Sequence, residues 1–540
     1  MSNETERNEH TQSRELCHWA DQMAARIIQE RGDLPLYTCA SGITPSGTVH
    51  IGNFREIITV DLVVRALRSR GKNVRFIYSW DDYDVFRKVP ANMPGQETLQ
   101  QYLRFPITMV PDTTGRDENY ARHHEMDVER ELPRVGIFPE FLYQASRYRA
   151  NRYAEGMRKA LQNRDLIKWC LNNYRDDAHK MKDDDVYWPV AAFCCNCNKD
   201  TTEITGYDGE YGVDYRCTNC GHEAHGDLRT SKEFKLGWRV DWPMRWNEER
   251  VVFEPGGKDH ISPGGSYDTA KLVSKKIYGW DAPITMKYDF VGLKGIPGKM
   301  SSSKGKVISL VDALEVYQPE VLRYIFAINR PDHEFAVSFD LDVITMYEAY
   351  DRTERIAWGV DKAKSDDLFL REKRVYALAQ VADMPPVMPY QVPFRLLTTL
   401  LQTYSGDIDA VIASLGDVKP EQEATLRRRC ACAWYWVNEC APDDFKFALR
   451  TDGSKADLSE AEANAVRAVR NDVLPVMDGC ATDKDLQQKI YDVAMANGMD
   501  AKSLFTTMYH VLVNKDQGPR LASFMRIIGQ EKLRQILSVY

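Results

Sequence analysis

The sequence predicts an α/β protein: a split, Rossmann-like parallel nucleotide-binding fold with an inserted basic and zinc-ribbon region and an all-α C-terminal domain. Three observations support this prediction: a strand, loop, helix and strand pattern between residues 36 and 79, four cysteines in two Cys-x-x-Cys pairs between residues 194 and 220, and mostly helical periodicity beyond residue 310. Because 540 residues exceed what one hydrophobic core supports, we expect three or four domains.

Composition limits the classes of function. The sequence has no run of 18 apolar residues, and residues 1–15 lack an apolar signal core, so we expect neither a membrane span nor secretion but a cytoplasmic protein. Twelve cysteines in so long a chain do not make a disulfide scaffold. The net charge of −8 argues mildly against a nucleic-acid partner, although local basic patches can override a net value.

A polar loop follows the first predicted strand. The apolar run 36–40 predicts a buried strand, the pattern 57–67 predicts a helix, and residues 44–53 between them read TPSGTVHIGN. A helix that starts after such a loop presents unpaired N–H groups and the positive end of its dipole, and phosphate is the usual ligand there. The alternative is a tight turn with a hydrogen-bonded histidine.

Three acidic residues follow the second predicted strand, residues 74–79. Strand, helix and strand in this length form a βαβ unit with parallel strands. Asp81, Asp82 and Asp84 therefore lie at the same sheet edge as the polar loop, where open α/β sheets bind ligands. They are candidates to hold an amino group or Mg²⁺, and the alternative for at least one of them is a helix cap or a turn.

A second polar loop, residues 298–306, reads GKMSSSKGK. Three lysines, three hydroxyls and two glycines within nine residues suit a mobile loop that closes over a polyphosphate. Without the first loop, a solvated basic turn would be the better interpretation.

The cysteine spacing is the strongest chemical signal. Cys194 and Cys197 form one Cys-x-x-Cys pair, and Cys217 and Cys220 form a second pair about twenty residues later. Four thiolates supply the tetrahedral set that Zn²⁺ accepts, so we predict a structural zinc ribbon. The alternative is four free thiols in a loop.

Aromatic and basic residues mark two further surfaces. Trp238, Trp242 and Trp246 recur at helical spacing, which indicates either core packing or an aromatic wall for a substrate's alkyl chain. From residue 147 to 182, ten Lys and Arg against four Asp and Glu are interleaved with aromatic residues. That mixture suits phosphate contact and base stacking by a nucleic acid; the alternative is a solvated helical face.

Together the two polar loops resemble the paired signatures of class I aminoacyl-tRNA synthetases. Residues 50–53, His-Ile-Gly-Asn, are similar to the family's His-Ile-Gly-His motif, and residues 299–303, Lys-Met-Ser-Ser-Ser, to its Lys-Met-Ser-Lys-Ser motif. The longer forms are most similar to the class I lysyl-tRNA synthetases. Asn53 stands where most of the class has a second histidine, and Ser302 stands where the second lysine would be, a charge that Lys304 can supply.

The resemblance implies an enzyme that uses ATP and Mg²⁺ to attach lysine to tRNA. It implies catalytic residues His50, Asn53, Lys299 and Lys304. The implied ATP-binding residues are Thr44, Pro45, Ser46, Gly47, His50, Gly52, Asn53, Lys299, Met300, Ser301, Ser302 and Ser303. The candidate amino-acid-binding residues are Gly42, Thr44, Asp81, Asp82, Asp84, Trp238, Trp242, His260 and Tyr288.

The family resemblance and the predicted helices and strands together imply the domain limits. We expect an N-terminal helical extension at 1–35, the two halves of the catalytic fold at 36–145 and 236–310, the inserted region at 146–235, a helical stem-contact region at 311–364 and an anticodon-binding domain at 365–540. Three rival functions stay open: another class I specificity, an adenylyltransferase that uses no tRNA, and a zinc-ribbon nucleic-acid binder without catalysis. The bulk of the chain argues against the second, and an intact His50 with Lys299 argues against the third.

Overall fold

The computed structural model describes residues 16–296, 307–416 and 418–540. The chain divides into two compact units. The first comprises the chain up to residue 314 with residues 319–337 and 353–384, and the second comprises residues 315–318, 338–352 and 385–540. In the part of the chain that is described, no helix combines the length and the apolar character that a membrane crossing requires.

A parallel sheet lies at the centre of the first unit and confirms the predicted α/β class. The strands of the chain are β1 (Tyr37–Ile43), β2 (Val74–Trp80), β3 (Glu140–Tyr143), β4 (Val190–Ala192), β5 (Thr202–Tyr207), β6 (Gly212–Cys217), β7 (Glu223–Asp227), β8 (Phe234–Leu236), β9 (Val251–Phe253), β10 (Gly256–Gly257), β11 (Lys287–Tyr288), β12 (Val291–Leu293) and β13 (Phe335–Val337). The central sheet has the order β3-β2-β1-β9, with every pair parallel. A parallel bridge from Phe253 to Ile284 and the pairing of β10 with β11 continue it.

Helices make up most of the remaining structure. They are α1 (Trp19–Arg31), α2 (Ile51–Ser69), α3 (Gln96–Gln101), α4 (Tyr120–Glu131), α5 (Gln144–Arg149), α6 (Ala154–Gln162), α7 (Arg164–Asn172), α8 (Trp238–Glu249), α9 (Lys258–Ile261), α10 (Ser266–Val273), α11 (Leu310–Val316), α12 (Pro319–Ile328), α13 (Asp342–Ala357), α14 (Asp366–Ala379), α15 (Phe394–Thr403), α16 (Ile408–Ser414), α17 (Pro420–Glu439), α18 (Glu460–Ala468), α19 (Asp483–Ala496), α20 (Ala501–Val513), α21 (Leu521–Ile528) and α22 (Gln530–Leu537). The described residues from 385 onward contain helices and no strand.

The inserted region lies between β3 and β9, as the split fold requires. Strands β5, β6 and β7 form an antiparallel sheet of three strands, and β4 pairs with β8. Three helices, α5 to α7, cover residues 144–172, because the chain turns at Ala150–Tyr153, where Asn151 has a positive φ, and again at Asn163. Apolar residues of these helices and of β4, β6 and β8 share one core.

Local structure in three further regions bears on the site. The segment 90–120 consists mostly of turns and loops, but it carries α3 and part of a small core that includes Leu99 and Tyr120. Between residues 284 and 293 the regular pairing is interrupted, and only β11 and β12 are regular strands. Helix α14 belongs to the first compact unit, where Arg374 pairs with Asp21 of α1.

A buried ion pair ties α12 to the helix that follows β1. Arg323 is 0% exposed, and its Nη2 lies 2.7 Å from Asp61 Oδ2 of α2. The other guanidinium bonds go to the carbonyls of Val135 and Leu378. We predict that Asp61→Asn destabilises the protein by about 3 kcal/mol, because it leaves a buried guanidinium without its counter-charge.

The urea midpoint, followed by circular dichroism, measures this effect. A matched control is Asp33→Asn, which removes the exposed partner of Lys72 and should leave the midpoint unchanged. Equal midpoints for Asp61→Asn and the control would contradict the prediction.

Candidate active site

The backbone that follows the second predicted signature contacts the first. Ile51 N–H donates to the carbonyl of Ile308 at 2.8 Å, and His50 and Ser309 form an antiparallel bridge. The chain that leaves the lysine loop therefore lies against the start of α2. The loop residues themselves, Lys299, Met300, Ser301, Ser302, Ser303 and Lys304, lie outside the described residues, so their assignments stay predictions.

His50 and Asn53 cap the helix that follows the first signature. His50 Nδ1 accepts a hydrogen bond from Gly52 N–H at 3.1 Å, and Asn53 Oδ1 accepts one from His50 N–H at 3.1 Å. This reciprocal arrangement is a capping box. Because Nδ1 is an acceptor, the neutral imidazole carries its proton on Nε2, which is then a donor atom. Asn53 makes this cap without carrying charge.

The segment 90–120 supports the polar loop, residues 44–53. Tyr120 of α4 donates its hydroxyl to the carbonyl of Ser46 at 2.9 Å, and Asn92 Nδ2 donates to Thr48 Oγ1 at 3.3 Å. A cavity of about 400 Å³ opens between this segment, His50 and Ser309. The segment 90–120 therefore holds the polar loop in place next to the N-terminus of α2.

Gly42 allows a close approach between two neighbouring strands. A Cβ atom at this position would lie 2.7 Å from the carbonyl oxygen of Ser79, closer than real Cβ atoms come. Packing alone therefore explains a glycine here, and a contact of Gly42 with the amino acid stays a prediction. Thr44, two residues on, lies in the loop beyond the strand.

Each of the three aspartates beyond β2 already has a partner. Asp81 accepts from Arg245 at 2.6 Å, and Asp84 lies 3.5 Å from both Lys235 and Arg87. Asp82 Oδ1 accepts from the backbone N–H of Ala145, at the start of α5, at 2.7 Å. Burial raises the pKa of Asp82 to about 6. The helix-end alternative therefore describes Asp82 best, whereas Asp81 keeps a partly exposed carboxylate toward the sheet edge.

The tryptophan stripe on α8 runs from an exposed surface into the core. Trp238 is 46% exposed, Trp242 is partly buried and Trp246 is 1% exposed. Adjacent rings of the stripe lie 5.5 Å and 4.7 Å apart, and the His260 ring lies 5.5 Å from that of Trp238. Trp246 is therefore core, whereas Trp238 and His260 are neighbouring exposed rings whose contact with a substrate stays a prediction.

Glu56 is a carboxyl that the sequence analysis did not single out. Its Oε1 accepts from the Ser41 hydroxyl at 2.8 Å and from Gly42 N–H at 3.2 Å, while Tyr288 donates its hydroxyl to Oε2. Burial raises the pKa of Glu56, and these three donors oppose that effect. The signal in the sequence is a lone acid three residues after Asn53, next to the apolar residues Ile57 and Ile58.

A second carboxyl, Glu254, lies behind the tryptophan stripe. Trp242 Nε1 donates to its Oε1 at 3.0 Å, and the indole N–H of Trp246 donates to Oε2. Burial raises the pKa of Glu254 to about 7 against the effect of these two bonds. The site thus joins aromatic rings with two carboxyls at the carboxyl ends of neighbouring strands.

The four cysteines of the predicted ribbon converge. The Sγ atoms of Cys194 and Cys220 lie 3.7 Å apart, those of Cys197 and Cys217 lie 3.6 Å apart, and all four lie within 4.8 Å of one another. A tetrahedral ion with metal–sulfur bonds of about 2.3 Å requires sulfur atoms about 3.8 Å apart. The cluster therefore has the size and the soft donor set that a four-thiolate metal site needs.

Three of the six arginines of the basic segment pair with acids. Arg147 lies 2.6 Å from Glu249, Arg152 lies 3.1 Å from Glu248, and Arg158 lies 2.7 Å from Glu155. The alternative of an ordinary charged surface therefore fits these arginines better than a free phosphate-binding patch. Exposed Trp169 and Tyr174 of the same segment retain the aromatic character.

The fold and the paired signatures define the chain as a class I aminoacyl-tRNA synthetase. The family model described as "tRNA synthetases class I (K)" matches residues 17–382, and the chain belongs to this family. A protein named lysine–tRNA ligase from Treponema pallidum is 55% identical over 97% of this chain and 98% of its own length. Proteins of the same name from Borreliella burgdorferi and Thermococcus kodakarensis are 47% and 41% identical, over 97% and 96% of this chain and 99% and 98% of theirs.

Proposed function

We propose that this enzyme attaches lysine to tRNA(Lys) through a lysyl-adenylate. The observation that carries the proposal is the end-to-end similarity to proteins named lysine–tRNA ligase from three organisms. The lysine carboxylate attacks the α-phosphorus of ATP and releases pyrophosphate, and the adenylate then acylates the terminal ribose of tRNA. This chemistry depends on positioning and on neutralising developing charge rather than on a covalent nucleophile.

The residues around α2 suit the phosphate side of that reaction. His50 offers a donor from Nε2 at the positive end of the helix dipole, next to the loop 44–53. Lys299 and Lys304 supply cations for the pyrophosphate. They lie in the sequence shortly before Ile308, whose carbonyl accepts a hydrogen bond from Ile51 N–H. Mg²⁺ bound to ATP adds further positive charge to the phosphates.

The groups near the carboxyl ends of β1, β9 and β11 suit a side chain with an apolar stem and a cationic tip, and we call them the proposed amino-acid pocket. In this proposal Trp238, Trp242 and His260 line the apolar stem, and Glu56 with Tyr288 provides the acid that an ammonium group requires. Asp81, partly exposed and oriented by Arg245, is the candidate for the α-amino group. This assignment explains a preference for lysine over neutral amino acids.

The cysteine cluster holds one structural zinc ion in this proposal. When bound, zinc crosslinks the two Cys-x-x-Cys turns and so stabilises the inserted region. We predict about one zinc per chain by elemental analysis, and a loss of that zinc in Cys217→Ser. Cys170→Ser, in the same core region but outside the cluster, is the matched control and should keep its zinc. Full zinc content in Cys217→Ser would refute the four-cysteine site.

The tRNA contacts are proposed at a coarser level. The helical residues beyond 385 are the candidate anticodon-binding part, and the inserted region is the candidate for the acceptor end. Because Arg152 and Arg158 are paired with acids, the exposed aromatic residues of the insertion are better candidates there than these arginines.

ATP–pyrophosphate exchange tests the function directly. Exchange should depend on lysine among the twenty amino acids, and lysine should then be transferred to tRNA(Lys). Exchange with another amino acid would point to a different class I specificity. Exchange without transfer to any tRNA would favour a small-molecule adenylyltransferase, and no exchange with any amino acid, with or without tRNA, would favour a non-catalytic nucleic-acid binder.

A further inference from the structure

Two carboxyls share one end of the amino-acid pocket, although a single ammonium group needs only one. Glu56 projects from α2 onto Ser41 and Gly42 of β1, and Glu254 follows β9, which pairs with β1 through Phe253 and Cys39. The charge of Glu56 contributes to the raised pKa of Glu254. The backbone N–H of Glu254 donates to the carbonyl of Ile284 at 3.1 Å, which fixes the carboxyl at the end of its strand. The second carboxyl therefore calls for a physical explanation.

The groups around Glu254 decide its charge. Helix α8 contributes the two indole N–H donors and the guanidinium of Arg245, α2 contributes Glu56, α10 contributes Tyr267 and β11 contributes Tyr288. Arg245 is already engaged by Asp81 and Asp241, at 2.6 and 3.1 Å. Glu254 thus faces a like-charged neighbour and a cation that two other carboxylates already share.

These surroundings leave Glu254 divided between its two forms in the empty pocket. Burial raises its pKa to about 7, although both indole N–H groups favour the carboxylate. Glu254 is therefore protonated in part near neutral pH, more than a carboxyl in water is. The indole donors already point at the carboxyl oxygens, so loss of that proton needs no rearrangement of the pocket.

We propose that Glu254 is the second carboxyl of the amino-acid pocket and releases its proton to solvent when the ε-ammonium of lysine binds beside Glu56. A cation brought into a buried site favours the charged form of a nearby carboxyl. The ammonium keeps its three protons, and the proton that leaves the Glu254 carboxyl goes to the buffer. A neutral side chain gives no such electrostatic gain, so Glu254 adds to the preference for a cation. The inference rests on the proposed lysine specificity.

Calorimetric titration of the zinc-loaded full chain with lysine tests the proposal. Titrations at one pH, in buffers with different ionisation enthalpies, give the number of protons released. We expect a net release of a fraction of a proton per lysine near pH 7, which decreases toward pH 8 as Glu254 becomes ionised before lysine binds. Glu254→Gln keeps an oxygen acceptor for one indole and should lose this release, with lysine affinity reduced several-fold and ATP affinity unchanged.

The matched control is Glu248→Gln on the same helix, which removes a carboxylate that pairs with Arg152 at the surface. It should release as many protons as the unaltered protein. Equal release in Glu254→Gln and the control would overturn the role of Glu254. If the unaltered protein fails to bind lysine at all, the proposed function itself is wrong. Normal lysine binding without proton release between pH 6 and 8 overturns only this inference.

Infrared difference spectra of the unaltered protein keep the proposal testable if Glu254→Gln does not fold. Lysine should remove the carbonyl band of a protonated carboxyl and add carboxylate bands at pH 6.5. The absence of that change would overturn the proposal.

The stability of a folded Glu254→Gln variant provides a further measurement. Because the raised pKa makes the folded state bind more protons than the unfolded state between about pH 4.5 and 7, the unaltered protein loses stability as pH rises through that window. Glu254→Gln should lack this loss, so its Tm relative to the unaltered protein should rise from pH 5 to pH 8. A Tm difference independent of pH would contradict the raised pKa of Glu254.

Discussion

Lys299→Ala should slow adenylate formation by about a hundredfold or more while lysine affinity stays nearly constant. Charge grows on the departing pyrophosphate in the transition state, so a lysine placed there stabilises the transition state more than the bound substrates. Losing one such preorganised contact costs about 3 kcal/mol. Single-turnover formation of the adenylate gives the rate, and equilibrium binding of lysine gives the affinity.

Two companion variants make this test sharper. Lys299→Arg keeps the charge and should recover part of the rate, whereas Lys304→Ala shows whether the second lysine of the loop replaces the family lysine at the position of Ser302. Weaker lysine binding with an unaltered rate of activation in Lys299→Ala would assign the loop a different role. Equal, large losses in Lys299→Ala and Lys304→Ala would mean that both cations act on the phosphates.

The parts of the fold that follow from local periodicity were predictable from the sequence. The βαβ unit, the position of the polar loop and the cysteine ribbon depend on spacings within a few tens of residues, and the structure has all three. The cap made by His50 and Asn53 is equally local, since its bonds span two or three residues.

Contacts between distant segments account for what the sequence analysis missed. The N–H that Asp82 accepts belongs to Ala145, 63 residues later, and Arg147 pairs with Glu249, 102 residues later. Sequence periodicity carries no information about such distant pairings. Asp82 was therefore a candidate for substrate binding, and Arg147 a candidate for tRNA binding. Glu56 was missed for the same reason, because its partner Tyr288 is 232 residues away.

The sequence also left undecided which acid meets which amine, and the structure narrows the choice. Asp82 serves the start of α5, and Asp84 is shared between two cations. Asp81 already pairs with Arg245, so its negative charge is partly neutralised before an ammonium group binds. Glu56 accepts hydrogen bonds from three neutral donors and from no cation, so it is the proposed partner of the side-chain ammonium.

Glu56→Gln should therefore raise the KM for lysine by two to three orders of magnitude and leave the KM for ATP within a few-fold. A buried ammonium that faces an amide loses its counter-charge, which costs about 3–5 kcal/mol. Tyr288→Phe removes one donor to the carboxyl but keeps the charge, so its effect on the KM for lysine should be much smaller. Pyrophosphate exchange at varied lysine and ATP concentrations measures both constants.

The KM values of these variants show whether Glu56 or an aspartate is the partner of the ε-ammonium. If Asp81 were the partner of the ε-ammonium, Asp81→Asn would show the large effect and Glu56→Gln only a few-fold change. An analogue without the ε-amino group sharpens the distinction, because its weak binding should not worsen further in Glu56→Gln, whereas loss of the α-amino partner weakens lysine and the analogue alike. The proposed assignment gives Glu56 the side-chain ammonium and the tryptophan stripe the apolar stem, so a charge-neutral analogue should keep the packing contribution and lose only the effect of Glu56.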